Sequence, residues 1–159
     1  EFVIVENTIS PISQIKVKSI CKISKANELL IINLVKTYCV SASMYGLEAV
    51  FFNVSALRKL DRPLFNAVGK IFKTFDANTI KWCMYYLDCL PMSLEYKFRR
   101  IMFLSKMRCN KNGLIIKCFG TVGKKELLKT CNELKIDAAR IYFPEVKQIL
   151  WNNFCRTLT

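Results

Sequence analysis

Residues 55–75 read SALRKLDRPLFNAVGKIFKTF, and this stretch decides the fold. Its apolar residues recur at steps of three and four, the spacing of one buried side of an α-helix, and its basic residues follow the same spacing on another side. The pattern predicts a helix with Ser55 as its N-cap that ends near Phe75. Pro63 is expected to kink this helix or delay its start, because proline lacks an N–H donor. The predicted buried positions are Leu57, Leu60, Leu64, Val68, Ile71 and Phe75.

Helical patterns flank this stretch on both sides. An apolar run over residues 26–52 precedes it, and Gly46 there indicates a close helix approach or a bend. A short helix over 79–87, a longer one from Pro91 to about residue 109 and further helical segments follow. We therefore expect an all-α protein, a bundle of about six helices with either a short strand or an extended arm at the N-terminus.

The chain divides by pattern into three regions: an extended arm (1–13), a helical domain (14–110) and a C-terminal helical extension (111–159). It begins with Glu1 rather than Met, so we treat it as part of a longer protein. Lys36 and Glu48 interrupt the run 26–52, which favours a helix surrounded by protein over a membrane span, and we expect no membrane partner.

The eight cysteines lie singly in apolar runs, and the chain has no histidine. This pattern favours buried, reduced thiols over disulfides or zinc ligands. It predicts a reducing intracellular compartment, the nucleus or the cytoplasm.

The net charge of +13 is concentrated in the centre of the chain. Residues 54–125 hold 15 Lys and Arg against four acids, a net +11, whereas each flank has five bases and four acids, a net +1. This distribution favours a polyanionic partner over a basic surface that only maintains solubility.

Catalytic signatures are absent from the sequence. There is no histidine, no paired Asp that holds Mg²⁺ in a polymerase and no glycine-rich phosphate loop. We expect no catalytic residue, no cofactor and no metal in this chain. Trp82, Tyr85, Tyr86 and Tyr96 lie between the two basic helices and have two interpretations, core packing or base stacking.

Short motifs resemble a known family. In order they are Lys36-Thr-Tyr-Cys39, Tyr45-Gly-Leu-Glu48, Leu57-Arg-Lys-Leu60, Phe65-Asn66 and Lys70-Ile-Phe72, then Pro91 with Arg99, Arg100 and Phe103. Together they resemble the segment after the polymerase palm in reverse transcriptases of non-LTR retrotransposons, the LINE-like elements of the jockey and chicken-repeat-1 type. The resemblance covers about residues 14–107. Val50 stands where the family usually has Trp, and Gly69 where it often has Arg.

The resemblance implies a thumb region that grips the template RNA and cDNA duplex while another part of the reverse transcriptase does the chemistry. Its partners would be RNA or an RNA–DNA duplex and the remaining domains of the enzyme. Two alternatives stay open: a helical protein-interaction or scaffold domain without a nucleic-acid role, and a basic amphipathic helix at a membrane surface. The predicted phosphate-binding residues are Arg58, Lys59, Arg62, Lys70, Lys73, Arg99, Arg100 and Lys106.

Overall fold

The computed structural model describes residues 27–158. Within this range the chain forms six continuous helical stretches and a short 3-10 turn, Leu47–Ala49, and contains no strand. The all-α prediction with about six helices is confirmed, whereas the predicted arm over 1–13 lies outside the described residues. In chain order, α1 comprises Glu28–Leu34, Val35–Val40 and Ser41–Met44; α2 is Val54–Ile71; α3 is Ala77–Tyr86; α4 is Met92–Arg108; α5 comprises Gly113–Cys118, Phe119–Gly123 and Lys124–Leu134; and α6 is Phe143–Cys155.

Helix α1 carries a π-helical segment, Val35–Val40, between two α-helical ones. It begins at Asn27, whose side-chain oxygen accepts a hydrogen bond from the N–H of Leu29 at 3.0 Å. Beyond its end, Gly46 has a φ of +74°, and a Cβ there would meet open space. Gly46 therefore marks a bend and not a close helix approach. No helix among the described residues is long and apolar enough to cross a bilayer.

Lys36 joins α1 to the end of α3. Its ammonium group donates hydrogen bonds to the carbonyl oxygens of Leu87 (3.0 Å) and Asp88 (2.8 Å). These carbonyls lie where α3 ends, and a cation is favourable there because the last carbonyls of a helix carry partial negative charge. The lysine of the Lys-Thr-Tyr-Cys string thus has a structural role.

Helix α2 begins at Val54, capped by Asn53. The side-chain oxygen of Asn53 accepts hydrogen bonds from the N–H of Ala56 (2.8 Å) and the hydroxyl of Ser55 (2.9 Å). The prediction of Ser55 as N-cap was therefore wrong by two residues. The helix runs through Pro63, so proline does not delay its start.

One side of α2 is buried, as its periodicity predicted. Leu60, Leu64, Val68 and Ile71 are all buried, and Leu57 is half-buried. The prediction that Phe75 belongs to the same buried stripe is wrong, because the helix ends at Ile71 and the Phe75 ring is 95% exposed.

Three helices end in the same backbone turn. After α2, α3 and α5 a residue in the left-handed region follows the helix: Lys73 (φ 52°), Asp88 (φ 48°) and Lys135 (φ 56°). The N–H of the next residue returns to a carbonyl in the last turn, as from Thr74 to Gly69 at 2.9 Å. This is the Schellman arrangement, in which glycine is usual because its lack of a Cβ removes the steric penalty.

The chain splits into two compact units, the first ending at Ser93 and the second covering residues 94–157. The boundary falls in the first turn of α4, whereas the sequence prediction placed a division at residue 110. Helices α4, α5 and α6 build the core of the second unit. Its buried members are Ile101, Leu104, Leu127, Cys131, Leu134, Val146 and Leu150.

Seven cysteines lie in the described part of the chain, and none of them forms a disulfide there. Cys39, Cys89 and Cys131 are buried as expected, and burial raises the pKa of the Cys131 thiol. Cys109 and Cys118 are exposed, so the expectation of buried thiols was wrong for these two.

Candidate nucleic-acid interface

The exposed side of α2 is basic. Arg58, Lys59, Arg62 and Lys70 are all exposed, and the polar Asn66 shares their side of the helix. This side lies opposite Leu60, Leu64 and Ile71 because residues three or four apart stack on one helical face. The structure therefore brings these four predicted phosphate-binding residues together on a single surface, which we call the α2 basic face.

Lys73 extends this set past the end of the helix. It is exposed and occupies the left-handed position of the turn that closes α2. The turn is held on its other side by Asp76, whose carboxylate accepts hydrogen bonds from the N–H (2.7 Å) and hydroxyl (2.6 Å) of Thr79. These hydrogen bonds lower the pKa of Asp76. Lys73 is therefore presented by an ordered connection.

The acid within α2 is directed away from the α2 basic face. Asp61 accepts a hydrogen bond from the N–H of Ser93 at the start of α4 (2.8 Å). Burial raises the pKa of Asp61, against the opposing effect of hydrogen bonds from Ser93 and Met92. Within residues 27–158 no acidic side chain forms an ion pair with Arg58, Arg62, Lys70 or Lys73.

The predicted residues of α4 belong to the second unit and differ from those of α2. Arg99 is half-buried and pairs with Glu95 at 2.9 Å. Arg100 is 5% exposed, so its prediction as a phosphate contact is not supported: a buried guanidinium does not reach a phosphate at the surface. Lys106 is exposed.

Other cations of α4 also make contacts within the second unit. Lys97 lies 3.6 Å from Glu133 of α5, and Arg108 donates to the carbonyl oxygen of Ala138 at 2.6 Å. Several cations of α4 therefore have partners within the second unit. Of the three phosphate-binding residues predicted on α4, Arg99, Arg100 and Lys106, only Lys106 is exposed.

Four exposed lysines of the second unit were not among the predicted phosphate contacts: Lys111, Lys117, Lys124 and Lys125. They lie in α5 or just before it. The second unit holds 14 Lys and Arg against five acids, a net charge of +9. These lysines contribute to the excess of positive charge in the centre of the sequence. The helical periodicity around Gly120 and Gly123 is weak, so the sequence did not show on which side of a helix they lie.

The aromatic residues of the two predicted roles differ in their exposure. Tyr96 is buried and belongs to the core, whereas Trp82 is 41% and Tyr86 79% exposed. Tyr85 is half-buried beside them. Base stacking therefore remains an option for Trp82 and Tyr86 only.

The structure describes metal-ligand groups and cavities for residues 27–158. In the part of the chain described, no three His, Cys, Asp or Glu side chains group as metal ligands. An apolar cavity of the first unit, lined among others by Cys39, Leu64 and Met92, has a volume of about 10 Å³, which is room for about one water molecule. The class of protein defined by this fold and surface is an all-α chain with a basic helix face.

No family model, no curated protein and no solved structure matches this chain.

Proposed function

We propose that this chain is a non-catalytic, helical nucleic-acid-binding segment that contacts the phosphate backbone through the α2 basic face. The observation that carries the proposal is the separation of charge on α2: exposed cations on one side, and the single acid turned toward Ser93. A solubilising surface needs charges of either sign, since both keep a protein in solution. A helix face whose charges are all positive favours a polyanionic binding partner instead.

The cations of this face provide affinity without reading sequence. Lys and Arg that neutralise phosphates release condensed counterions, and this gain is independent of the bases. Arg58, Arg62 and Lys70 lie one or two turns apart along α2. Such a row can follow successive phosphates along one strand.

The resemblance to non-LTR reverse transcriptases supports a more specific proposal. If the chain follows a polymerase palm, the polyanion is template RNA paired with cDNA, and the remaining partners are the other domains of that enzyme. Gly69 departs from the family pattern at a close contact: a Cβ there would lie 2.8 Å from the carbonyl oxygen of Thr74. The position leaves no room for the family's arginine.

Binding of a labelled RNA–DNA duplex at low salt, measured by fluorescence anisotropy, tests the proposal. Arg58→Glu/Arg62→Glu/Lys70→Glu should weaken binding by at least about a hundredfold, because each residue loses a phosphate contact and gains repulsion. The matched control is Lys129→Glu/Arg140→Glu/Lys147→Glu, which changes the net charge equally. These three cations are exposed, and each lies within four residues of an acid.

The control should bind nearly as well as the parent chain. Equal losses in both variants would show that net charge alone is responsible. No binding of the parent chain at low salt would reject the proposed function.

A protein-interaction role is the second candidate, favoured by apolar exposure on α5. Leu114 is 72%, Ile116 49% and Val122 51% exposed, and contiguous exposed apolar surface marks protein-interaction sites. Sedimentation velocity over a range of protein concentrations without nucleic acid tests it. If the chain self-associates and Leu114→Ser/Ile116→Ser abolishes the association, this role is favoured. If the chain is strictly monomeric, the exposed side chains of α5 do not mediate self-association.

A further inference from the structure

The solvent side of α3 carries aromatic rings where a surface helix usually carries charges. Ile80 and Met84 are buried, and Trp82 and Tyr86 lie on the opposite side of the helix. The two residues are one turn apart, so their side chains are neighbours. Apart from Lys81, α3 contains no charged residue.

The rings hold one another in a defined geometry. The centroids of Trp82 and Tyr86 are 6.1 Å apart, with 28° between the ring planes. Tyr85 meets both edge-on, at 5.9 Å and 87° from Trp82 and at 5.4 Å and 75° from Tyr86. Edge-to-face contacts of this kind are favourable. The two exposed rings are therefore oriented before any ligand binds.

The surroundings of these rings favour a nucleic acid over an apolar protein surface. The residue one turn before Trp82 on the same side of α3, Asn78, is polar and exposed. The chain reaches α3 directly from the α2 basic face through Lys73, and Gly69 and Ile80 pack α2 against α3 in the same unit. A strand that offers both bases and phosphates matches a unit that carries exposed aromatic rings on one helix and a row of cations on another.

We propose that Trp82 and Tyr86 form a stacking surface for unpaired bases of a single-stranded nucleic acid whose phosphates contact the α2 basic face. The inference rests on the proposed function and deepens it, because it names an unpaired strand as a ligand. Paired bases present their faces to one another, whereas an unpaired base offers its face to a side chain. Every base has such a face, so the binding is tolerant of sequence.

Intrinsic fluorescence of Trp82 provides the test. The chain has two tryptophans, and Trp151→Phe retains a ring beside Phe154 while leaving Trp82 as the only indole. The full chain with this substitution is titrated with a 12-nucleotide oligouridylate and with an abasic oligonucleotide of the same length and charge. The oligouridylate should quench Trp82 and bind about tenfold or more tightly than the abasic strand.

Two substitutions of Tyr86 refine the test. Tyr86→Ala should remove most of the difference between the two strands, whereas Tyr86→Phe should keep it because the ring remains. Tyr45→Ala is the matched control, since Tyr45 is 88% exposed in the same unit but on a different helix end. Circular dichroism checks that each variant folds.

The outcomes separate this inference from the proposed function. If both strands bind equally, without quenching and without an effect of Tyr86→Ala, the stacking surface is rejected and phosphate binding stands. If neither strand binds at low salt, the proposed function fails with it. If Tyr86→Ala instead abolishes concentration-dependent self-association, the rings form a protein contact and the inference is wrong.

Discussion

Asp61 shows how one residue gives α2 its unbalanced surface. Its carboxylate is directed to the start of α4, where it accepts the Ser93 N–H at 2.8 Å. A carboxylate at a helix N-terminus is favourable, but burial penalises its charge and raises its pKa above the ordinary value. The contact with Ser93 directs the Asp61 carboxylate away from the α2 basic face. Because the buried carboxylate is charged at neutral pH, its burial lowers the free energy of unfolding there.

Asp61→Asn should raise the stability of the protein at pH 7. The amide oxygen can still accept the Ser93 N–H, and no charge has to be desolvated. A raised pKa means that the native state holds its proton more tightly than the unfolded chain, so the aspartate form loses stability as pH rises from about 4 through the folded pKa. Urea unfolding should show the difference between the Asp61→Asn variant and the parent at pH 7 and a smaller one at pH 3.5. A less stable variant at pH 7 would contradict this account.

Lys73 combines a charge with an unfavourable backbone conformation, and the two effects can be separated. A non-glycine residue in the left-handed region costs about 1–2 kcal/mol, part of which glycine regains. Lys73→Gly and Lys135→Gly should each stabilise the protein by about 0.5–1 kcal/mol in thermal unfolding. Only Lys73→Gly should weaken duplex binding, since Lys135 ends α5 in the other unit. Equal effects of both on binding would mean that Lys73 contacts no phosphate.

At the scale of the helix, periodicity predicted α2 well and α4 poorly, for a physical reason. In α2 the apolar and basic residues occupy separate sides, so the pattern alone shows which side is buried. In α4, Arg99 and Arg100 are adjacent, and only packing within the second unit decides which guanidinium is buried. Likewise, the hydrogen bonds from Lys36 to Leu87 and Asp88 join residues about 50 positions apart, and no local pattern contains them.

The close approach of α2 and α3 at Gly69 gives a prediction at this scale. In Gly69→Ala the new Cβ would lie 2.8 Å from the Thr74 carbonyl oxygen and 3.2 Å from Ile80 Cδ1. Overpacking of this kind costs about 1–3 kcal/mol, and the better helix propensity of alanine offsets up to about 1 kcal/mol. We expect a net loss of about 1–2 kcal/mol in urea unfolding. Gly120→Ala, where a Cβ meets open space, should lose nothing; an equal loss would show that the Gly69 contact is unimportant.

For the whole molecule, the question is whether binding follows the net charge or one face. The total of +13 was evident from the sequence, and its concentration in the centre predicted a polyanionic partner. What only the structure shows is that much of the charge on α4 is committed to Glu95, Glu133 and the Ala138 carbonyl. The sequence therefore predicted how much positive charge the chain carries better than it predicted which cations stay exposed and which have partners within the fold.

The salt dependence of binding distinguishes the two possibilities. If the four cations Arg58, Arg62, Lys70 and Lys73 each neutralise one phosphate, log K should fall with log salt concentration with a slope of about −4. Neutralising Arg58, Arg62 and Lys70 by glutamine should reduce the magnitude of that slope by about 3, because each lost contact releases one counterion fewer. The corresponding glutamine variant of Lys129, Arg140 and Lys147 carries the same net charge and should keep the parent slope. Affinities from anisotropy at salt concentrations between about 50 and 200 mM supply the slopes, and indistinguishable slopes for the two variants would show that the α2 basic face is not the phosphate-binding surface.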